Sequence, residues 1–168
     1  MSDEAIEEFD LVIVGTGSGN SIPGPEFDHW KIAIVERGLF GGTCLNVGCI
    51  PSKMFVYAAD VAETIRAADA YGLQAELTGV DWPAIRDRVF GRIDPIAQGG
   101  ENYRLGAECP NITVVKGEGR LISERTLEVT SESGDVRRIS GRHVVLGAGA
   151  RPFVPPYPGL TDVDFHTS

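Results

Sequence analysis

No apolar run in these 168 residues approaches the length needed to span a bilayer, and residues 1–8 are acidic and lack the hydrophobic region of a secretory signal. A membrane protein is not expected, and the chain reads as cytoplasmic. Positive charge is also scarce: 15 basic residues stand against 24 acidic ones, a formal charge of −9, with no basic cluster to offset it. Nucleic acid and anionic membranes are therefore excluded as expected partners. The three cysteines are better read as catalytic than as a disulfide scaffold. No second Cys or His pair stands at ligand spacing, so no metal is expected. Internal repeats and low-complexity blocks are absent too. A chain of this length buries one good core, and one domain is the expectation.

Two of the cysteines are concentrated in Gly41-Gly42-Thr43-Cys44-Leu45-Asn46-Val47-Gly48-Cys49-Ile50-Pro51-Ser52-Lys53. A disulfide across so short a loop restricts the unfolded chain little, which makes redox chemistry a stronger reason for it than stabilisation. Pro51 suits the first position of a helix, which Phe55, Ala58, Ala59, Ala62 and Ile65 continue as an apolar side towards Ala70. Cys49 then sits just before a helix N-terminus, where partial positive charge favours thiolate, and Lys53 adds a cation in the first turn. Disulfide exchange and electron donation both need such a thiolate. Cys109, before Pro110, reads as a bystander thiol.

Upstream, Asp10–Val14 is a continuous apolar run of the kind that forms a central parallel strand. It feeds Gly15-Thr16-Gly17-Ser18-Gly19-Asn20, where glycines allow a tight turn and the approach of backbone N–H groups to a pyrophosphate. A second strand, Lys31–Val35, ends in Glu36, about 20 residues on, where a carboxylate can accept both hydroxyls of an adenosine ribose. Asn20 stands at the usual third glycine, and Pro23, Gly24 and Pro25 occupy the crossover. Proline removes a helical hydrogen bond and clashes with the preceding turn, so the crossover helix is expected to be short or broken.

Further on, Gly72 suits a helix C-cap, and Asp81 and Pro83 open a second helix with an apolar stripe at Ile85, Val89, Ile93 and Ile96, weakened by Gly91 and Pro95. From residue 112 the pattern changes to short β segments at 112–116, 127–130 and 136–139, with Ser133-Gly134-Asp135 as a hairpin turn. They form a small antiparallel excursion that returns to the main sheet at 143–146 and ends in Gly147-Ala148-Gly149. The fold class is α/β, with an acidic tail at 1–8, a domain at 9–152 and a proline-rich linker at 153–168.

Taken together, the glycine turn, Glu36, the cysteine loop and the Gly-Ala-Gly turn resemble the FAD-binding N-terminal part of the pyridine nucleotide-disulfide oxidoreductases, the family of glutathione reductase and dihydrolipoamide dehydrogenase. The resemblance covers nearly the whole chain, and the cysteine loop is its most specific piece. It implies a Rossmann-like domain with a parallel central sheet. It makes Cys44 the interchange thiol that attacks the substrate disulfide, Cys49 the thiolate against the flavin and Lys53 a neighbour of flavin N5. Glu36 would hold the ribose, Gly15, Gly17, Ser18 and Gly19 the pyrophosphate, and Gly42 and Thr43 the phosphate region. Gly119, Ala148 and Gly149 match further backbone contacts, although Ala148 stands where the family more usually has Thr.

The family's nicotinamide domain, the closing piece of its FAD domain and its dimerisation domain, with a His-Glu pair acting across the dimer, have no counterpart here. His29, His143 and His166 do not match that His. The resemblance therefore implies a fragment of a homodimeric, NADPH-dependent flavoenzyme that reduces a low-molecular-weight disulfide. Dihydrolipoamide dehydrogenase and mercuric reductase share the loop and stay open as alternatives, as does a flavin-binding module without turnover of its own.

Overall fold

The computed structural model describes residues 5–167. Its frame is one six-stranded sheet of order β3-β2-β1-β6-β5-β4, built from β1 (Glu7–Val14), β2 (Ile32–Glu36), β3 (Ile112–Lys116), β4 (Glu118–Ser123), β5 (Thr126–Thr130) and β6 (Val136–Leu146). The first four in that order are parallel neighbours, and β5 and β4 are added antiparallel. The apolar runs of β1 and β2 pair in register, Leu11 beside Ile32 through Val14 beside Val35. Alternate residues of a strand face opposite sides, so Val12, Ala33 and Val35 join one buried cluster with Val115, Leu127, Val129 and Ile139, while Leu11, Ile13, Ile32 and Ile34 form a second on the other face. Both faces are covered, which is why these strands are apolar throughout. Each Val or Ile buried there stabilises the fold by about 1.5–3 kcal/mol.

The crossover from β1 to β2 contains only two short 3-10 turns, Ser18–Ser21 and Pro25–Phe27, as the prolines require. The cysteine loop is itself helical at α1 (Gly42–Asn46). The next helix, α2 (Cys49–Arg66), starts two residues before Pro51, so Cys49 is its first residue. It also stops earlier than its pattern suggests: a separate 3-10 turn, Ala68–Tyr71, carries the chain to Gly72, which is left-handed at φ 74° as a cap. On α2 Ala59 is exposed, whereas Phe55, Ala58, Ala62 and Ile65 are partly buried.

Helix α3 (Trp82–Leu105) opens where Asp81 accepts a hydrogen bond from the Ala84 amide at 3.0 Å. It runs through Pro95 unbroken. The bond lost there is to the carbonyl of Gly91, and both residues are exposed, so water can take the freed acceptor. Val89, Ile93 and Ala97 are its buried stripe, while Ile96 is 52% exposed. Phe55 of α2 stacks on Trp82 at 5.1 Å, tying the two helices together.

Four further differences concern the sheet. Residues 112–116 extend the parallel part beside β2 and do not belong to the antiparallel excursion. The excursion has an additional strand, β4, whose polar sequence hid it. Residues 136–146 form one strand where the pattern suggested two. At the other end, Glu7 and Glu8 of the acidic tail are already in β1, with Glu7 paired to Arg137 at 2.9 Å. No described helix is long and apolar enough to cross a membrane.

Candidate functional site

A groove of about 970 Å³ opens at the carboxyl ends of β1, β2 and β6, the position at which a parallel sheet offers its strand-end loops to a ligand. Its floor is main chain. Gly15 has φ 97°, and a Cβ there would lie 2.3 Å from the Gly147 carbonyl oxygen. Gly42 has φ 62°, and a Cβ there would lie 2.6 Å from Gly17 Cα. Only glycine tolerates both the conformation and the approach, so the three glycine-bearing turns meet backbone to backbone. Gly15 N donates to Val35 O and Gly147 N to Val14 O, both at 2.8 Å, and Gly41 N donates to Thr16 O at 3.3 Å.

Glu36 stands at the end of β2 with its carboxylate fixed. Thr16 donates to Oε2 from its amide and its hydroxyl, and the Gly38 amide donates to Oε1 at 2.8 Å. Partial burial opposes the charge, but the hydrogen bonds from the Thr16 hydroxyl and from the amides of Gly38, Thr16 and Arg37 outweigh it and hold the carboxyl below its ordinary range.

The dithiol lies on the groove's wall. Cys44 sits in α1 and Cys49 opens α2; both are exposed, reduced and groove-lining. The Cys44 thiol is held above its ordinary value, first by a side-chain hydrogen bond with Cys49, then by desolvation and the charge of that neighbour. The Cys49 amide and Lys53 pull the other way without prevailing. Between the cysteines, Asn46 donates through Nδ2 to the carbonyls of Phe40 and Gly42 at 2.9 and 3.0 Å, bracing α1. Its Oδ1 is buried without a partner and belongs to a groove-lining residue.

Gly15, Gly17, Ser18, Gly19, Glu36, Gly42, Thr43, Cys44, Cys49, Gly119, Ala148 and Gly149 all come together on this groove. Lys53 does not; it is exposed on α2, outside the lining, and acts on Cys44 only through its charge. Sequence reasoning passed over Thr16 and Asn46. Thr16 sits between two motif glycines, where the third-party role of a hydroxyl has no periodic signal. Asn46 carried a signal, a polar residue midway between two cysteines.

The residues present fit an extended dinucleotide. The groove supplies a main-chain floor, an anchored carboxylate at one end, an orphaned acceptor and a dithiol. Fold and site together define the class: a dinucleotide-binding α/β domain with two exposed thiols on the wall of its groove.

The family model for pyridine nucleotide-disulphide oxidoreductases matches residues 9–168, and the chain belongs to that family. It is 48% identical over 166 residues to the mycothione reductase of Mycobacterium tuberculosis, covering 97% of this chain and 35% of that protein. It is 33% identical to the dihydrolipoyl dehydrogenase of Chlamydia pneumoniae, over 92% of this chain and 32% of that one. The HOCl-induced flavoprotein disulfide reductase RclA from Escherichia coli superposes with a TM-score of 0.69 at 26% identity, over 90% of this chain and 31% of its own. The six-stranded α/β fold is thus the FAD-binding Rossmann-like domain of the disulfide reductases. The chain spans about a third of the length of these relatives.

Proposed function

We propose that this chain is the FAD-binding and dithiol-bearing part of an NADPH-dependent reductase whose substrate is a low-molecular-weight disulfide, mycothione. The observation that carries the reading is the meeting of a glycine-floored groove, an anchored Glu36 and two exposed thiols in one place. The 48% identity to a mycothione reductase supports that substrate over lipoamide.

Glu36 would take the ribose hydroxyls of FAD, the amides around Gly15, Gly17, Ser18 and Gly19 its diphosphate, and Gly42, Thr43, Gly119, Ala148 and Gly149 the rest of its length. Residues 9–152 would make up this domain, with 153–168 leading out of it. Bound there, FAD supplies the route by which an electron pair from NADPH restores the dithiol.

The dithiol itself works by exchange. Cys44, as thiolate, attacks one sulfur of the substrate disulfide, forming a mixed disulfide and releasing one substrate thiolate, which takes up a proton. Cys49, as thiolate, then attacks Cys44 Sγ, releasing the second substrate thiol and leaving a Cys44–Cys49 disulfide. Two electrons have passed from protein to substrate. Because Cys44 holds its proton more tightly than an ordinary thiol, that proton must leave before attack, and Lys53 favours its departure. The full-length protein would work in the cytoplasm as a homodimer.

The test is a visible spectrum of the purified chain after mixing with FAD and gel filtration. Co-eluting flavin is expected, and its loss in Glu36→Ala. Colourless wild-type protein, if the full-length protein is colourless as well, defeats the cofactor reading. For the substrate, NADPH oxidation by the full-length protein should be faster with mycothione than with lipoamide or glutathione disulfide; the reverse order removes the substrate assignment. A separate addition of NADPH to the flavin-loaded chain should leave its colour unchanged, and rapid bleaching would show turnover by this part alone.

A further inference from the structure

Asn20, at the third glycine position of the first turn, has a partner far along the chain. Arg104, in the last turn of α3, donates from Nε to Asn20 Oδ1 at 2.9 Å and from Nη2 to the Asn20 carbonyl at 2.6 Å. Its Nη1 lies 3.6 Å from Cys109 Sγ, and its guanidinium lies 5.4 Å from the centre of the Tyr103 ring. Arg104 is only 8% exposed. None of the ion pairs among the described residues includes it.

A charge withdrawn from water is normally met by a counter-charge, because neutral acceptors return only part of its hydration. Among the described residues Arg104 is met by an amide oxygen, a main-chain carbonyl and a cysteine sulfur, and by no carboxylate. The residue that the guanidinium holds, Asn20, follows directly on Gly19, where the groove-lining part of the turn ends. The same contacts fix the turn's shape: the Asn20 amide donates to the Gly17 carbonyl at 3.1 Å, so a clamp on Asn20 also sets the Gly17–Gly19 backbone.

We propose that Arg104 is a positioning residue for the diphosphate of the groove's nucleotide, holding Asn20 and the turn amides in place while its buried charge favours an anionic ligand over a neutral one. The proposal rests on the reading of the groove as a dinucleotide site. It also accounts for Asn20 itself: a glycine there could not offer Oδ1 to the guanidinium.

The test compares ADP with adenosine by calorimetry on the full chain. Wild type should prefer ADP. In Arg104→Gln the ratio of ADP to adenosine affinity should fall by about tenfold, the scale of one charge acting through protein, with adenosine affinity held within about twofold. Arg104→Lys, which keeps the charge but loses the fork, should give a ratio between those of wild type and Arg104→Gln while melting at a lower temperature than wild type. If Arg104→Gln does not fold, Asn20→Asp takes its place: it keeps an acceptor against Nε and neutralises the guanidinium, and the same loss of ratio is expected. An unchanged ratio, or equal losses for both ligands, overturns the role of Arg104 while leaving the site intact. Wild-type protein that fails to prefer ADP overturns both the role and the site reading.

Discussion

Thr16 grips a single oxygen of Glu36 twice, from its amide at 2.9 Å and from its hydroxyl at 2.7 Å. The carboxylate is therefore oriented by the glycine turn that shares its groove, and the two motifs are one unit.

Thr16→Val keeps the shape of a residue that is 1% exposed and removes the hydroxyl bond. A hydrogen bond to a charged group contributes about 1.5–3 kcal/mol, and the partial exposure of Glu36 reduces this to about 1 kcal/mol. The pH dependence follows from the lowered carboxyl. Its stabilising contribution is fully present above the ordinary value of 4.5 and is lost as pH falls through the lower folded value. The difference in stability between wild type and variant should be largest near about pH 7 and should shrink towards about pH 3 in urea titrations. A difference that grows on acidification contradicts the assignment.

Two glycine substitutions should act in opposite directions. Gly42→Ala imposes a left-handed conformation on alanine, costing about 1–3 kcal/mol, and drives its Cβ into the Gly17 backbone besides. Gly91→Ala, on the exposed side of α3 with nothing within 4 Å of the added carbon, should stabilise by about 0.5–1 kcal/mol. Thermal melts of the two variants check both signs.

Cys44 reactivity reports its neighbours. Cys49→Ala removes the hydrogen bond and the charge that hold the Cys44 proton, so more thiolate is present at a given pH and alkylation should quicken. Lys53→Met removes a charge that favours the thiolate and should slow it. Iodoacetamide labelling followed by peptide mass analysis separates Cys44 from Cys109. Equal rates in all three proteins would show that the pair is uncoupled.

Asp81→Ala removes the cap of α3 and should cost about 1 kcal/mol. Asp81→Asn should restore most of it, measured by chemical denaturation.

The parts of this molecule that announce themselves in sequence are those governed by short-range chemistry. The runs at β1 and β2, the prolines that shorten the crossover, the Asp81 cap and the glycine turns each follow from local sterics or periodicity. What escaped is decided by distant partners. Helix α3 survives Pro95 because its buried stripe continues through Ala97. β4 is polar because its residues are mostly exposed, and only pairing with β5 makes it a strand. In the site, glycines and cysteines were legible by type and spacing. Arg104 was not, because its partner Asn20 is 84 positions away.

The single strand β6 has a consequence for the tolerance of the chain to change. Ile139 and Ser140 are paired on both sides, to Glu7 and Glu8 of β1 and to Leu127 and Thr126 of β5. From there the strand runs on without a break to Leu146, just before the groove-lining Gly147. Its other end is set by the hairpin turn at Ser131–Asp135, where Ser131 and Asp135 are bonded through both main chain and side chain. An exposed hairpin tip is ordinarily the most forgiving place for an extra residue. Here a slip of one position would carry Gly147 about 3.3 Å along the sheet and invert the alternation of every side chain on the strand. That turn lines no part of the groove, yet it acts as the groove's gauge of length.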